Sequence, residues 1–289
     1  MNTINNSESL YDQRMQSYMV AASISKGRMA QENPLSAAAL GMVEGSDIVV
    51  VRDTYDHVEQ VLEALDVPFQ AVEIDQFEQV ALQPEQLLII NCPGNISSRA
   101  VEKVRSFVEA GGTLFTTDWA LRNVIERAFP GVLEYNEHAT ADDVVRIEIV
   151  DSNSPYLAGV LETGDDPQWW LEGSSYPIRI LDSEKVKVLI KSKELADKYG
   201  EDPVAVVFSQ GKGEVFHMIS HYYLQRTEFR NDRHHMKASV LADEKNVSLD
   251  DETKAFMEDL KLGDVESAES STRFIANIVA DKKRKQSQS

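Results

Sequence analysis

The stretch Leu87-Leu88-Ile89-Ile90-Asn91, followed by residues 97–110, by Gly111-Gly112 and by Thr113-Leu114-Phe115-Thr116-Thr117, decides how this chain folds. Its first part is a short, continuously apolar run of the kind buried on both faces of a parallel sheet. Ser97 reads as the N-cap of an amphipathic helix, and the glycine pair as its left-handed exit into the next strand. An earlier unit has the same form. Asp47-Ile48-Val49-Val50-Val51 is β-branched, residues 55–65 place Val58, Val61, Leu62 and Leu65 on one helix face, and Pro68 ends that helix before a strand over 69–74. Strands alternating with helices of this length imply parallel pairing through right-handed crossovers. The expected fold class is therefore α/β, with a Rossmann- or flavodoxin-like, mainly parallel sheet and helices on both faces. After Pro130-Gly131 the runs 144–150, 176–181, 186–191, 204–209 and 214–219 follow one another through turns such as Gln210-Gly211-Lys212-Gly213, and these predict an antiparallel extension of the sheet.

The 289 residues, 42% of them hydrophobic, suffice for one large α/β domain with polar extensions. The expected division is an N-terminal helical extension over 1–45, the α/β domain over 46–228, and an acidic helical and loop region with a basic tail over 229–289. Helices are expected over 13–26 and 34–43, separated by Glu32-Asn33-Pro34, and over 249–262 and 271–281, joined by an acidic linker over 263–269. Lys282-Lys283-Arg284-Lys285 reads as a solvated terminus, and His234-His235 as part of a mobile charged loop.

A net charge of −19 argues against general nucleic-acid binding and against anionic membrane surfaces, and it favours a protein partner with a basic surface. No apolar run approaches the roughly 20 residues of a membrane span, and residues 1–12 lack the basic-then-apolar order of a signal peptide. The single cysteine, Cys92, excludes an internal disulfide and a multi-cysteine zinc site and fits a reducing compartment, so a cytoplasmic address is expected. No cofactor or metal motif is read, and self-association stays open.

Ligands of open α/β sheets collect at the carboxyl ends of strands. That rule selects Arg52-Asp53-Thr54, Asn91-Cys92-Pro93-Gly94-Asn95 and Thr117-Asp118-Trp119. Cys92, Asp118 and His221 are the candidates for catalysis, since a thiol near a helix N-terminus or an Asp–His pair could activate a nucleophile or a water. Asp53, Asn95, Trp119, Trp170 and Glu172 are the candidates for ligand binding, the two tryptophans as aromatic area beside an acid. The plainer expectation is that Asp118 caps the helix over 119–127, that His221 is a satisfied rim residue, and that Cys92 is structural.

The run Phe107-Val108-Glu109-Ala110-Gly111-Gly112-Thr113-Leu114-Phe115, preceded by 87–94 and followed by Gly211-Lys212-Gly213-Glu214-Val215, resembles the class I glutamine amidotransferase-like superfamily over roughly residues 47–222. The pattern is nearest to its branches without amidotransferase activity, such as trehalose-utilisation ThuA-like proteins and the domain shared by gliding-motility and intraflagellar-transport proteins. The resemblance implies that the strand after the glycine pair leads into a tight elbow, which bears a nucleophilic cysteine in active members. Here that stretch reads Thr116-Thr117-Asp118-Trp119-Ala120, with neither the cysteine nor the flanking glycines, and with a bulky tryptophan that a strained elbow would tolerate poorly. The His-x-Glu pair of such enzymes is also missing, since Ser220-His221-Tyr222-Tyr223 stands in its place. In ThuA-like proteins a stretch comparable to Trp169-Trp170-Leu171-Glu172-Gly173 lines the cleft.

The leading expectation is thus a non-catalytic amidotransferase-like domain that binds a protein partner as a scaffold or regulatory module. The rival is a hydrolase or carbohydrate-processing enzyme in which Asp118, His221 and Glu172 share a cleft, with a divalent metal as an option. A small-ligand sensor using Asp53, Asn95 and Asp118 lies between them.

Overall fold

The computed structural model describes residues 2–222 and 226–287, with side chains from residue 14 onward. Among these residues the strands in chain order are β1 Ile48–Arg52, β2 Gln70–Glu73, β3 Leu87–Ile90, β4 Thr113–Thr117, β5 Leu133–Tyr135, β6 Asp143–Arg146, β7 Glu148–Ile149, β8 Gln168–Leu171, β9 Ile178–Ile180, β10 Val186–Lys191, β11 Pro203–Gln210 and β12 Gly213–Met218. The main sheet has the order β2-β1-β3-β4-β12-β11-β10-β7. Its first five strands are mutually parallel, and β11, β10 and β7 extend it through antiparallel pairs. The expected α/β class with an antiparallel edge is what the chain adopts. β1, β3 and β4 form its centre because nearly all of their residues are buried, which suits strands covered on both faces.

The helices are α1 Asn2–Glu32, α2 Pro34–Gly41, α3 Val58–Ala64, α4 Ser98–Ala110, α5 Glu126–Ala128, α6 Lys193–Tyr199, α7 Asp232–His235, α8 Ser239–Glu244, α9 Asp251–Met257 and α10 Leu262–Gln286. α4 starts where Ser97 accepts a hydrogen bond from the Ala100 N–H and ends at Gly111, whose φ of +128° suits a residue without a Cβ. Between them Ala100, Val101, Val104, Phe107 and Val108 face the sheet.

Several sequence expectations need correction. The runs over 144–150 and 176–181 do not join the main sheet as whole strands: β6 pairs with β8 and β5 with β9 in separate two-stranded sheets, while only β7 reaches the main edge. The expected acidic linker over 263–269 is the first part of α10, and Glu266, Ser267 and Glu269 there are buried. The basic tail is not a solvated end. Lys282 donates to the carbonyls of Pro84 and Gly111, and Lys283 and Lys285 pair with Asp47 and Glu214. His234 is buried in α7 and contacts Gln168, so it is no mobile loop residue. The terminal helices share the main core, with Tyr18, Ala21, Ala22 and Met29 of α1 in the same cluster as Phe274, Ile275 and Val279 of α10. No helix among the described residues is long and apolar enough to cross a membrane.

His217, fully buried in β12, contacts the Thr116 hydroxyl at 2.8 Å. Burial pushes its pKa down from 6.5 to about 3, against the opposing hydrogen bond from Thr116. The folded ring stays neutral where the unfolded ring takes up a proton, so its stabilising contribution is complete above pH 6.5 and is lost as pH falls toward about 3. Between neutral pH and about pH 5 the loss should be about 2 kcal/mol. Urea unfolding at both pH values should show a shallower acid loss for His217→Gln than for the wild type; equal losses would remove His217 as a cause.

Candidate functional site

The carboxyl ends of β3, β4 and β12 lie side by side in the sheet and deliver Cys92, Asp118 and His221 to one place. Each is held by its backbone. The Cys92 N–H donates to Thr117 Oγ1 at 3.2 Å, the Asp118 N–H to the Met218 carbonyl at 2.8 Å, and the Tyr222 N–H to the buried Asp56 carboxylate at 2.9 Å. The Ser220 hydroxyl, just before His221, donates to the Trp170 carbonyl at 2.7 Å. A fourth contributor arrives from the segment after β8, where Glu172 extends toward His221.

His221 sits between two carboxylates: Nε2 lies 3.2 Å from Asp118 Oδ2, and Nδ1 lies 3.0 Å from Glu172 Oε2. The Cys92 sulfur, an Asp118 oxygen and a His221 nitrogen all fall within 4.8 Å of one another. Asp118 accepts two further hydrogen bonds, from Ser175 Oγ at 3.0 Å and from the Tyr176 N–H at 2.8 Å. Its carboxylate is therefore turned away from the N–H groups of its own following helix, and the capping expectation is wrong. The turn is also strained. Asp118 has φ +41°, a left-handed conformation unusual for a residue with a Cβ. A tight left-handed turn thus stands directly before Trp119, where the sequence reading expected a bulky tryptophan to be poorly tolerated. The indole swings outward, donating to the Ser174 carbonyl at 2.7 Å and stacking on Tyr176 at 5.6 Å, while the small Ala120 takes the buried place beneath the turn.

These groups enclose a cavity of about 210 Å³ walled by Tyr55, Cys92, Asp118, Trp119, Glu172 and His221, with Gly173 and Ser174 at its margin. The volume suits a small polar molecule. A larger hollow, of about 510 Å³, opens at the opposite ends of the strands around Gly111, Lys212 and Lys282. It lies away from the acid–base cluster, and Lys282 there is tied to backbone carbonyls.

Burial alone would lower the pKa of His221, but its hydrogen bonds to Asp118, Cys92 and Glu172 raise it well above the ordinary value. Burial also raises that of Asp118, opposed by His221, Tyr176 and Ser175. The two shifts describe one coupled pair, and the proton stays on the imidazole because a carboxylate faces each of its nitrogens. Burial pushes the Cys92 thiol up to about 11, with His221 pulling it down and Asp118 adding to the rise. A neutral thiol is a poor nucleophile.

Of the other sequence candidates, Asp53 lies outside the cavity wall, where its carboxylate accepts the N–H groups of Gly94 at 3.0 Å and Asn95 at 3.4 Å and steadies the loop that carries Cys92. Asn95 itself is exposed, and Trp170 turns from the cavity to donate to Asp142 at 2.6 Å. Neither lines the site. Tyr55, Asp56, Ser175 and Tyr176 were not anticipated. Tyr55 lies just past the end of β1 and the strand-end rule could have found it, whereas Ser175 and Tyr176 act through a hydroxyl and a backbone N–H in an unremarkable loop.

No protein-family model and no curated protein sequence matches the chain. Solved structures similar to it include a protein of Thermoplasma acidophilum described as a GMP synthase component, with 9% identity, 84% of this chain and 97% of that one covered, and a TM-score of 0.48. A glutamine amidotransferase from Thermotoga maritima is similar at 9% identity, with 82% and 97% covered and a TM-score of 0.45. A β-galactosidase from a Rahnella species is similar at 17% identity and a TM-score of 0.45, covering 71% of this chain and 32% of that one. The chain spans about a third of the length of the glycosidases it resembles. The chemistry of the site rests on its own geometry.

Removing the Ser175 hydroxyl takes one partner from a buried carboxylate. Ser175→Ala should lower stability by about 1–2 kcal/mol, measured as a shift of the urea midpoint; an unchanged midpoint would mean that Asp118 does not depend on this contact.

Proposed function

We propose that this chain is a hydrolase of small polar molecules, working by acid–base chemistry at the strand-end cavity on an amidotransferase-like fold. The observation that carries the proposal is the placement of His221 between Asp118 and Glu172 at the cavity wall. Asp118 occupies the elbow, but its oxygens are held by Ser175, Tyr176 and His221, which suits an orienting group better than a nucleophile. The Cys92 thiol is held neutral. Water is then the nucleophile that this site can use.

Glu172, whose side chain keeps 37% exposure, is the group able to take the water's proton. The resulting hydroxide oxygen bonds to the electrophilic carbon as the bond to the leaving group breaks. The leaving group takes a proton from the Glu172–His221 pair, so one water is split and the site returns to its starting state. Asp118 holds the imidazole in place throughout.

Turnover of a panel of small chromogenic esters, amides and glycosides tests this reading. Asp118→Asn and Glu172→Gln should each cost about 10²–10⁴-fold in kcat/KM while circular dichroism stays native. Absence of turnover across the panel, or turnover indifferent to both substitutions, would refute it.

A separate observation favours the partner-binding reading: α2 and its C-cap expose Leu35 and Met42, seven residues apart. Such a patch suits a protein contact, and the charge of −19 favours a basic partner surface.

A further inference from the structure

We infer that Cys92, Asp118 and His221 form a three-ligand site for a divalent metal ion of zinc type, with Glu172 as the outer partner that orients His221. The inference deepens the hydrolase reading and rests on it for the use made of the ion, since it names what would activate the water, and it adds to that geometry the Cys92 sulfur.

Several features point the same way. The donor set is a sulfur, a carboxylate oxygen and an imidazole nitrogen, all buried and within 4.8 Å of one another. Tetrahedral zinc, with bonds of about 2.0–2.3 Å, places its ligand atoms about 3.4 Å apart, and His221 Nε2 already lies 3.2 Å from Asp118 Oδ2. The three residues sit on adjacent strand ends whose backbones are pinned, so little order has to be created on binding.

The outer contacts are those of a metal-binding histidine. With Nε2 turned to the ion, the opposite ring N–H donates to Glu172 at 3.0 Å, a carboxylate–histidine–metal relay that fixes the tautomer. Asp118 is likewise held from its far side by the Tyr176 N–H. The charge also fits: two carboxylates face a single imidazole in a closed space, which leaves negative charge for a cation to neutralise. Binding releases the thiol proton and the imidazolium proton to solvent, leaving a thiolate, a neutral imidazole and a carboxylate around the ion. The fourth position opens on the cavity of about 210 Å³, where a water would sit as in catalytic rather than structural zinc sites. A thiolate and an imidazole select a borderline-soft metal over magnesium or calcium.

The test uses the full chain. It is loaded with Zn²⁺, Co²⁺ or Mg²⁺, freed of excess ion, and analysed by elemental mass spectrometry, by absorption of the Co²⁺ form and by alkylation of Cys92. About one Zn²⁺ or Co²⁺ per chain, a sulfur-to-cobalt charge-transfer band, protection of Cys92 from alkylation by Zn²⁺, and no retained Mg²⁺ are expected. Cys92→Ser should abolish the band, and Glu172→Gln should weaken Zn²⁺ binding about 10–100-fold. If Cys92→Ser does not fold, the alkylation result on the wild type decides. Trace stoichiometry, a band that survives Cys92→Ser, or a thiol equally reactive with and without Zn²⁺ would overturn the site. Turnover that persists in metal-free, chelator-treated protein would overturn the ion as the activator of the water while leaving the hydrolase reading intact; a bound ion without turnover on any substrate would uphold the site and sink the hydrolase reading.

Discussion

Three hydrogen bonds between α10 and the approach to β8 place half of the candidate site. The Gln168 N–H donates to Ser267 Oγ at 3.0 Å, the Trp169 indole to Ser270 Oγ at 2.9 Å, and the Asp166 N–H to Glu266 at 3.0 Å. β8 runs directly from this anchor into residues 172–176, which supply Glu172 to His221 and Ser175 and Tyr176 to Asp118. The other half comes from the parallel sheet. The pocket is thus a joint between a rigid sheet edge and a segment whose position is dictated by a helix almost a hundred residues later in the chain.

That helix is fixed in turn by a charge cluster around two buried arginines. Arg28 of α1, with 1% of its side chain exposed, meets Glu32, Glu162 and Glu269, and Arg273 of α10 meets Glu32 at 2.9 Å. The desolvation of so many charges offsets most of their attraction, so the cluster is a weak source of net stability. Its effect is on register. A shift of α10 along α1 would leave buried guanidinium groups unpaired, which costs far more than the pairing gains. The Gly159 backbone lies so close that a Cβ there would meet Glu32 and Arg273 at under 3.0 Å, which leaves the loop before β8 one way to pass.

The difference between what the sequence disclosed and what it hid follows from this division. Leu87-Leu88-Ile89-Ile90 and the Gly111-Gly112 exit announce themselves because hydrophobic burial and a positive φ restrict residue type strongly. Cys92, Asp118 and His221 are readable as strand-end residues for the same reason. The first half of α10 is different: Glu266, Ser267, Glu269, Ser270, Ser271 and Thr272 are all buried although the string looks like a solvated linker. Glu266, Glu269, Ser270 and Ser267 are matched by partners distant in sequence, Arg233, Arg28, Trp169 and Gln168, and no local period records such a match. Ser175 and Tyr176 are hidden more deeply, since one acts through a lone hydroxyl and the other through a backbone N–H that any non-proline residue would offer.

The turn at Asp118 shows how a backbone can fix the place of a side chain independently of its chemistry. A residue held at φ +41° after a central parallel strand projects its side chain into the strand-end space whatever its chemistry. With a carboxylate there, three donors converge on it and hold it in place, which suits orienting a neighbour better than attacking a substrate. In the proposed hydrolase reading the nucleophile is water, which needs either a base with access to the cavity or an ion to acidify it. Glu172 at the cavity margin meets the first requirement, and the convergence of Cys92, Asp118 and His221 meets the second.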